Sequence, residues 1–133
     1  MKNVPDTSVL IQQQVNVKKI LVIENDPDLI NILEYLFKAE GYHYKIYMDA
    51  KDICTLAMEF KPNVIILDYF LQHTNGGELC SLLKSKVQTQ GIPVIIYSAV
   101  TKDFLPLGDC GCDLFIPKPF DLDELIEKID DFI

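Results

Sequence analysis

Five apolar, strand-like runs alternate with helical patterns from Lys18 to the end of the chain, and this alternation restricts the fold more than any other feature. The first run, "KKILVIEND", leads into Pro27, which favours a first helical turn. Leucines at helical spacing follow until Gly41, a residue type that commonly ends helices. Further strand-like runs are "YHYKIYM", "NVIILD", "IPVIIYS" and the short "LFI". Such a series predicts an α/β, doubly wound domain with a parallel five-stranded sheet and helices on both faces.

The helix boundaries are predicted from capping residues and apolar spacing. Asp49 is predicted to cap the second helix and Asn75, or a neighbour, to open the third. A weak helical stretch is predicted around 100–107, interrupted by Pro106, and the last helix places an apolar stripe from Leu122 onward on one face.

The strand order follows from the polarity of the strands. The runs at 20–23, 64–67 and 92–97 are almost continuously apolar, as expected of central strands that are covered on both faces. The run at 42–48 contains lysine and histidine, and the run at 114–116 is very short, so these two strands are expected at the sheet edges. The order 2-1-3-4-5 satisfies both conditions.

Charge and composition exclude several classes of function. The net charge is −8, and the twelve basic residues are all lysines spread along the chain, which disfavours direct nucleic-acid binding. No apolar run approaches the length of a membrane span, so no membrane insertion and a cytoplasmic location are expected. Residues 1–17 are expected to form an N-terminal arm whose polar sequence favours flexibility, ahead of one domain at 18–133.

The four cysteines form no CxxC pair, so they are interpreted as small buried apolar residues, with a metal or redox role of Cys110 and Cys112 as the lesser alternative.

Polar side chains follow the apolar strands at the edge of the sheet where ligands bind in this architecture. Those that converge there are Glu24, Asn25 and Asp26 after strand 1, Asp68 at the end of strand 3, Ser98 at the end of strand 4 and Lys118 after strand 5.

Clustered carboxylates indicate a cation site. Two carboxylates about 4 Å apart repel by roughly 4 kcal/mol at an effective dielectric constant of 20, so such a cluster favours a bound cation or a raised pKa. Mg²⁺ needs only one or two carboxylates together with carbonyl and phosphoryl oxygens, which Glu24, Asn25, Asp26, Asp68 and the main-chain carbonyl of Phe70 could supply.

An aspartate beside such an ion is suited to attack a phosphoryl donor. Asp68 would become an aspartyl phosphate, Lys118 would neutralise charge on the transferring oxygens, and Ser98 would donate a hydrogen bond to one of them.

Four segments, "LVIENDPDL", "ILDYFLQHTNGGEL", "PVIIYSA" and "FIPKPF", together make the chain resemble a response-regulator receiver domain of two-component signalling. The resemblance implies a phosphoacceptor at Asp68, acidic-pocket positions at Glu24 and Asn25, a switch hydroxyl at Ser98, a phosphate-pairing lysine at Lys118 and a switch aromatic at Phe115. It also implies a cis peptide bond between Lys118 and Pro119.

The chain departs from the family pattern at several positions. Asn25 replaces the usual second acid, which weakens the expected Mg²⁺ site, and Asp26 is expected to cap a helix. Gln72 replaces a usual proline. Phe70 and Val100 flank Asp68 with apolar side chains, which predicts poor access for water and a long-lived acyl phosphate.

The first functional hypothesis is therefore a phosphorylation-switched receiver, regulatory and not an enzyme, that uses Mg²⁺ and takes its phosphoryl group from a histidine kinase or phosphotransfer protein. Its output would be a downstream protein or a homodimer. The alternative is a phosphorylation-independent docking module with a weakened metal site. A phosphatase with an aspartyl nucleophile is disfavoured because Phe70 stands where a second aspartate is expected, and no GxGxxG motif follows strand 1 for dinucleotide binding.

Overall fold

The computed structural model describes residues 17–100, 105 and 110–133. These residues form one parallel sheet with helices on both faces. In chain order the elements are β1 (Lys19–Ile23), α1 (Pro27–Glu40), β2 (His43–Tyr47), α2 (Ile53–Phe60), β3 (Val64–Asp68), α3 (Gly76–Lys84), β4 (Val94–Ser98), β5 (Leu114–Pro117) and α4 (Leu122–Phe132).

The strand order is β2-β1-β3-β4-β5, and each neighbouring pair is parallel, as predicted from the sequence. β3 and β4 are buried at every residue, whereas β2 and β5 at the edges are partly exposed. Continuously aliphatic strands therefore lie in the sheet interior, where both faces are covered. The strand that contains lysine and histidine and the shortest strand lie at the edges.

Two apolar cores lie on opposite faces of the sheet because side chains alternate along each strand. Leu21, Ile65 and Ile96 belong to the core beneath α2 and α3. Val22 and Ile66 belong to the core beneath α1 and α4. The same alternation directs the last residues of β3 and β4 to defined faces at the edge that carries the site.

The helix caps mostly follow the predictions. Asp26 accepts a hydrogen bond from the Asp28 N–H at the start of α1, with Pro27 in the first turn, and Gly41 ends α1 at φ +77°. Asn75 caps α3 by accepting from the Glu78 N–H at 2.9 Å.

The predicted cap of α2 is wrong. Asp52, not Asp49, caps this helix, since its carboxylate accepts from both the backbone N–H and the hydroxyl of Thr55. Asp49 instead accepts from the N–H of the next residue, Ala50. Two aspartates three residues apart both fit a capping pattern, and the backbone between them decides which one meets the free N–H groups.

Two sequence predictions lie largely outside the described residues: the N-terminal arm and the helical stretch around 100–107. Of the four cysteines, Cys54, Cys80 and Cys110 are buried and Cys112 is half-buried. Burial is also the main cause of a raised pKa of the Cys80 thiol. Within the described part of the chain, no helix has the length and apolar character needed to cross a membrane.

Candidate functional site

The register of the sheet places three polar side chains in one row at its carboxyl edge. Ile23 of β1 pairs with Leu67 of β3, so Glu24 lies beside Asp68, and Asp68 pairs with Tyr97 of β4. Adjacent strands are about 4.8 Å apart. Three residues that are far apart in sequence thus become lateral neighbours, directed toward the face covered by α1 and α4.

Asp68 is a buried carboxylate in a crowded acidic environment. Only 5% of the residue is exposed. Burial raises the pKa of Asp68 to about 6, the neighbouring Glu24 carboxylate adds to the rise, and Lys118 opposes it. The proton on Asp68 is therefore held more tightly than on an ordinary aspartate.

Lys118 lies between the two carboxylates. Its Nζ is 3.5 Å from Asp68 Oδ1 and 3.4 Å from Glu24 Oε1. The other Glu24 oxygen, Oε2, accepts a hydrogen bond from the Asp26 N–H at 2.9 Å. Lys118 is held in this position by the hydrogen bond from its backbone N–H to the Ser98 carbonyl at the end of β4. The Lys118–Pro119 peptide bond is cis, as the resemblance implied.

Ser98 lies at the carboxyl end of β4, the strand beside Asp68, and Phe115 lies in β5 on the face beneath α2 and α3. Ser98 is fully buried, and its Oγ accepts from the Val100 N–H at 3.1 Å. Phe115 pairs with Ile96, two residues before Ser98, and packs half-buried against the core beneath α2 and α3. The hydroxyl and the ring are therefore one step apart on the same face of neighbouring strands.

The loop after β3 folds tightly over Asp68. Gly76 donates from its N–H to the Tyr69 carbonyl at 2.8 Å, and Phe70 forms a backbone bridge with Asn75. The Phe70 side chain is half-exposed and meets the Tyr69 ring edge-on at 5.0 Å between centroids. Phe70 thus presents an apolar side chain to solvent two residues after Asp68, and its backbone also hydrogen-bonds to the Asp68 carboxylate.

The candidate metal site contains fewer carboxylates than a complete acidic metal site. Among the described residues, no group of three or more His, Cys, Asp or Glu side chains is arranged to hold a metal ion. Asn25 follows Glu24 after β1 and is half-buried. Asp26 caps α1 with its carboxylate, as expected.

Sequence reasoning missed Tyr97. Its ring is fully buried, has the Lys118 Nζ 4.6 Å from its centroid and stacks on Phe120 at 5.4 Å with an interplanar angle of 12°. Burial, followed by the nearby Glu24 carboxylate, raises the pKa of Tyr97 well above its usual value. The signal was a single tyrosine in the otherwise aliphatic run "PVIIYS", directly before a predicted site residue.

The sheet order defines a flavodoxin-like α/β domain, and its carboxyl edge carries an acidic pair that faces one lysine. The chain belongs to the response regulator receiver domain family, whose model matches residues 20–130.

Two curated relatives are similar to the chain in sequence. The response regulator ArlR of Staphylococcus saprophyticus is 33% identical over 113 residues, covering 84% of this chain and 50% of that protein. The DNA-binding response regulator MtrA of Mycolicibacterium smegmatis is 29% identical over 114 residues, covering 84% of this chain and 49% of that protein. The chain thus spans about half the length of these relatives.

Two solved structures share the fold. One is the signal receiver domain of a histidine kinase from Syntrophus aciditrophicus, with a TM-score of 0.79, 24% identity, and coverage of 87% of this chain and 89% of that one. The other is the receiver domain of a Pseudomonas aeruginosa sensor histidine kinase with a magnesium ion in its active-site cleft. Its TM-score is 0.78 at 19% identity, with coverage of 87% of this chain and 97% of that one.

Proposed function

We propose that the chain is a phosphorylation-switched receiver in which Asp68 accepts a phosphoryl group from a histidine kinase or a phosphotransfer protein. The observation that carries the proposal is the placement of the buried Asp68 carboxylate 3.5 Å from the Lys118 ammonium, with Glu24 beside it. An acceptor carboxylate needs a neighbouring cation when a phosphoryl group approaches, and Lys118 is positioned to act as that cation.

Transfer forms a bond between an Asp68 carboxylate oxygen and phosphorus and breaks the bond between phosphorus and the histidine nitrogen. The electron pair of the broken bond goes to the imidazole, which takes up a proton from solvent. Asp68 must be ionised to attack, and Lys118 stabilises the negative charge on the transferring oxygens. Lys118 also lowers the pKa of Asp68, which favours the reactive form.

Mg²⁺ fits the donor set of this pocket. Two adjacent carboxylates, Glu24 and Asp68, face one ammonium, so the pocket retains a net negative charge that suits a hard cation. The Glu24 and Asp68 carboxylates, the Asn25 side-chain carbonyl and the Phe70 main-chain carbonyl would hold the ion. When bound, it supplies charge neutralisation for the phosphoryl oxygens.

Ser98 and Phe115 are proposed to carry the switch. The Ser98 hydroxyl would donate to a phosphoryl oxygen, and Phe115, one step away on the same face, would repack in response. The phosphoryl group adds about −1.5 to −2 charge, enough to bias a surface between two arrangements.

The output would be a downstream protein or a second copy of this chain. We do not expect this chain to bind nucleic acid directly, although its relative MtrA is a DNA-binding response regulator. We expect a cytoplasmic location.

The test is treatment with acetyl phosphate and Mg²⁺ followed by intact-mass measurement. We expect the mass gain of one phosphoryl group, lost in Asp68→Asn and kept in Asp49→Asn, a matched change of an aspartate after β2. Omission of Mg²⁺ with added EDTA should suppress the gain. A folded wild-type protein that gains no mass, or a gain that persists in Asp68→Asn, would contradict the proposal.

Asn25 favours a second candidate, a docking module that works without phosphorylation. Its amide oxygen carries no net charge, so this pocket attracts Mg²⁺ less strongly than one with a third carboxylate. Beryllofluoride, a phosphoryl mimic, separates the two functions. Changes in the amide spectrum around Ser98 and Phe115 support the switch, whereas an unchanged spectrum supports constitutive docking.

A further inference from the structure

Tyr97 buries a hydroxyl group that has no hydrogen-bond partner. The residue is 0% exposed, and its phenolic oxygen is the one buried side-chain polar atom left without a partner in the described part of the chain. A buried polar group without a partner costs free energy that phenylalanine, with the same ring, would avoid. The hydroxyl is therefore able to donate to an acceptor that comes within reach when the site rearranges.

The ring of Tyr97 already has a role in this state. The Lys118 ammonium lies 4.6 Å from the ring centroid, and Phe120 stacks on the ring. A cation over an aromatic face is attracted to it, more strongly where water is partly excluded, and the Lys118 side chain is only 22% exposed. The ring thus helps to hold the ammonium above the two carboxylates.

Glu24 depends on Lys118 for its charge balance. The carboxylate is fully buried, with Oε1 facing Lys118 and Oε2 accepting from the Asp26 N–H. If Lys118 turns toward a phosphoryl group on Asp68, Oε1 loses the ammonium as a partner, and a buried carboxylate oxygen then favours another donor. The Tyr97 hydroxyl forms no well-aligned hydrogen bond, yet the Glu24 carboxylate raises its pKa through its charge and through a weak hydrogen bond, so Glu24 is the acceptor nearest in effect to this hydroxyl.

We propose that Tyr97 is a positioning residue with two roles: its ring holds Lys118 in the unphosphorylated chain, and its hydroxyl donates to Glu24 once Lys118 pairs with the phosphoryl group. This inference rests on the proposed function for its second role only. The partner exchange keeps a hydrogen-bond donor on Glu24 Oε1 in both states, so Lys118 can move at a lower cost.

Two variants separate the ring from the hydroxyl. Tyr97→Phe keeps the ring, and Tyr97→Leu removes both. In the unphosphorylated protein, the Lys118 Hε protons should resonate upfield of those of an exposed lysine because they lie over the ring. We expect that shift to remain in Tyr97→Phe and to vanish in Tyr97→Leu. Tyr97→Phe should also have an unchanged or higher Tm, since it removes a buried hydroxyl without a partner.

The second role is tested with beryllofluoride and Mg²⁺ as the probe. We expect Tyr97→Phe to bind beryllofluoride about tenfold more weakly than the wild type, the effect of one lost hydrogen bond to a charged group. Equal binding by wild type and Tyr97→Phe would overturn the partner exchange, and ordinary Lys118 Hε shifts in the wild type would overturn the role of the ring. A wild type that binds no beryllofluoride would overturn the proposed function and the exchange together, while the Lys118 shifts still decide the role of the ring.

Discussion

Gly76 lies so close to the backbone of Asp68 that a Cβ atom at position 76 would be 2.7 Å from the Asp68 carbonyl oxygen. The contact is with backbone, which cannot rotate away as a side chain does. Gly76→Ala should therefore displace the end of β3 and lower the free energy of unfolding by about 1–3 kcal/mol, as measured by urea denaturation. The same displacement should slow phosphorylation of Asp68.

Gly91→Ala is the matched control for that change. A Cβ atom at Gly91 would meet nothing within 4 Å, so the same chemical change should be almost neutral. If the two variants have equal stability, or if Gly76→Ala is fully stable, close packing at position 76 does not constrain the site.

The pKa of Asp68 predicts a dependence of stability on pH. Burial and the Glu24 carboxylate raise the pKa of Asp68 from its ordinary 3.8 to about 6 in the folded chain, so the native state binds this proton more tightly. The stabilising contribution is complete below about pH 4 and is lost as pH rises through 6. In EDTA-containing buffer, the unfolding free energy of the wild type should fall relative to Asp68→Asn between pH 4 and pH 7, by up to about 3 kcal/mol.

Subtracting the unfolding free energy of Asp68→Asn from that of the wild type at each pH cancels the contributions of the titratable groups that both proteins contain. A difference between wild type and Asp68→Asn that stays constant across this pH range would show that Asp68 titrates as an ordinary aspartate.

Phe70 should protect a phosphoryl group on Asp68 from water. Its half-exposed ring lies two residues after Asp68, and half-buried Val100 donates from its N–H to Ser98 Oγ at the end of the neighbouring strand. Phe70→Asn should shorten the lifetime of the acyl phosphate several-fold, because a polar side chain admits and orients water. Intact mass followed over time after removal of the donor measures the loss.

Val87→Asn serves as the control for Phe70→Asn, since Val87 is an exposed apolar residue in the connection after α3, outside the site. Its loss of the phosphoryl group should match that of the wild type. An unchanged or slower loss in Phe70→Asn would mean that water reaches Asp68 by another route.

Lys84 should stabilise the domain far more than an ordinary surface lysine. Its Nζ donates to the carbonyls of Gln90 and Ile92 and to the Asp113 carboxylate, which also accepts from the Val94 N–H. Lys84→Met leaves several polar groups without partners and should lower the unfolding free energy by about 2–3 kcal/mol.

Lys18→Met is the comparison for Lys84→Met. Lys18 also pairs with an aspartate, Asp130, at 3.0 Å, but both side chains are well exposed, so the loss should stay below about 1 kcal/mol. Equal losses for the two lysines in urea titrations would refute the importance of the Lys84 network.

Much of the fold could be predicted because each local signal agreed with the tertiary arrangement. Pro27, Gly41 and Asn75 begin or end helices where their backbone preferences predict, and polar residues in β2 mark an edge strand. Asp49 was misassigned because capping depends on which N–H groups the backbone leaves free, and sequence spacing does not specify that.

The order of the elements, the edge strands and the meeting of Glu24, Asp68 and Lys118 at one end of the sheet could be predicted from the amino-acid sequence, because alternating strands and helices leave few ways to pack. The folded arrangement was needed to show that Tyr97 joins them and that burial raises the pKa of Asp68. Those properties depend on which side chains become lateral neighbours across the sheet and how completely they exclude water, and both are set by contacts between residues far apart in the chain.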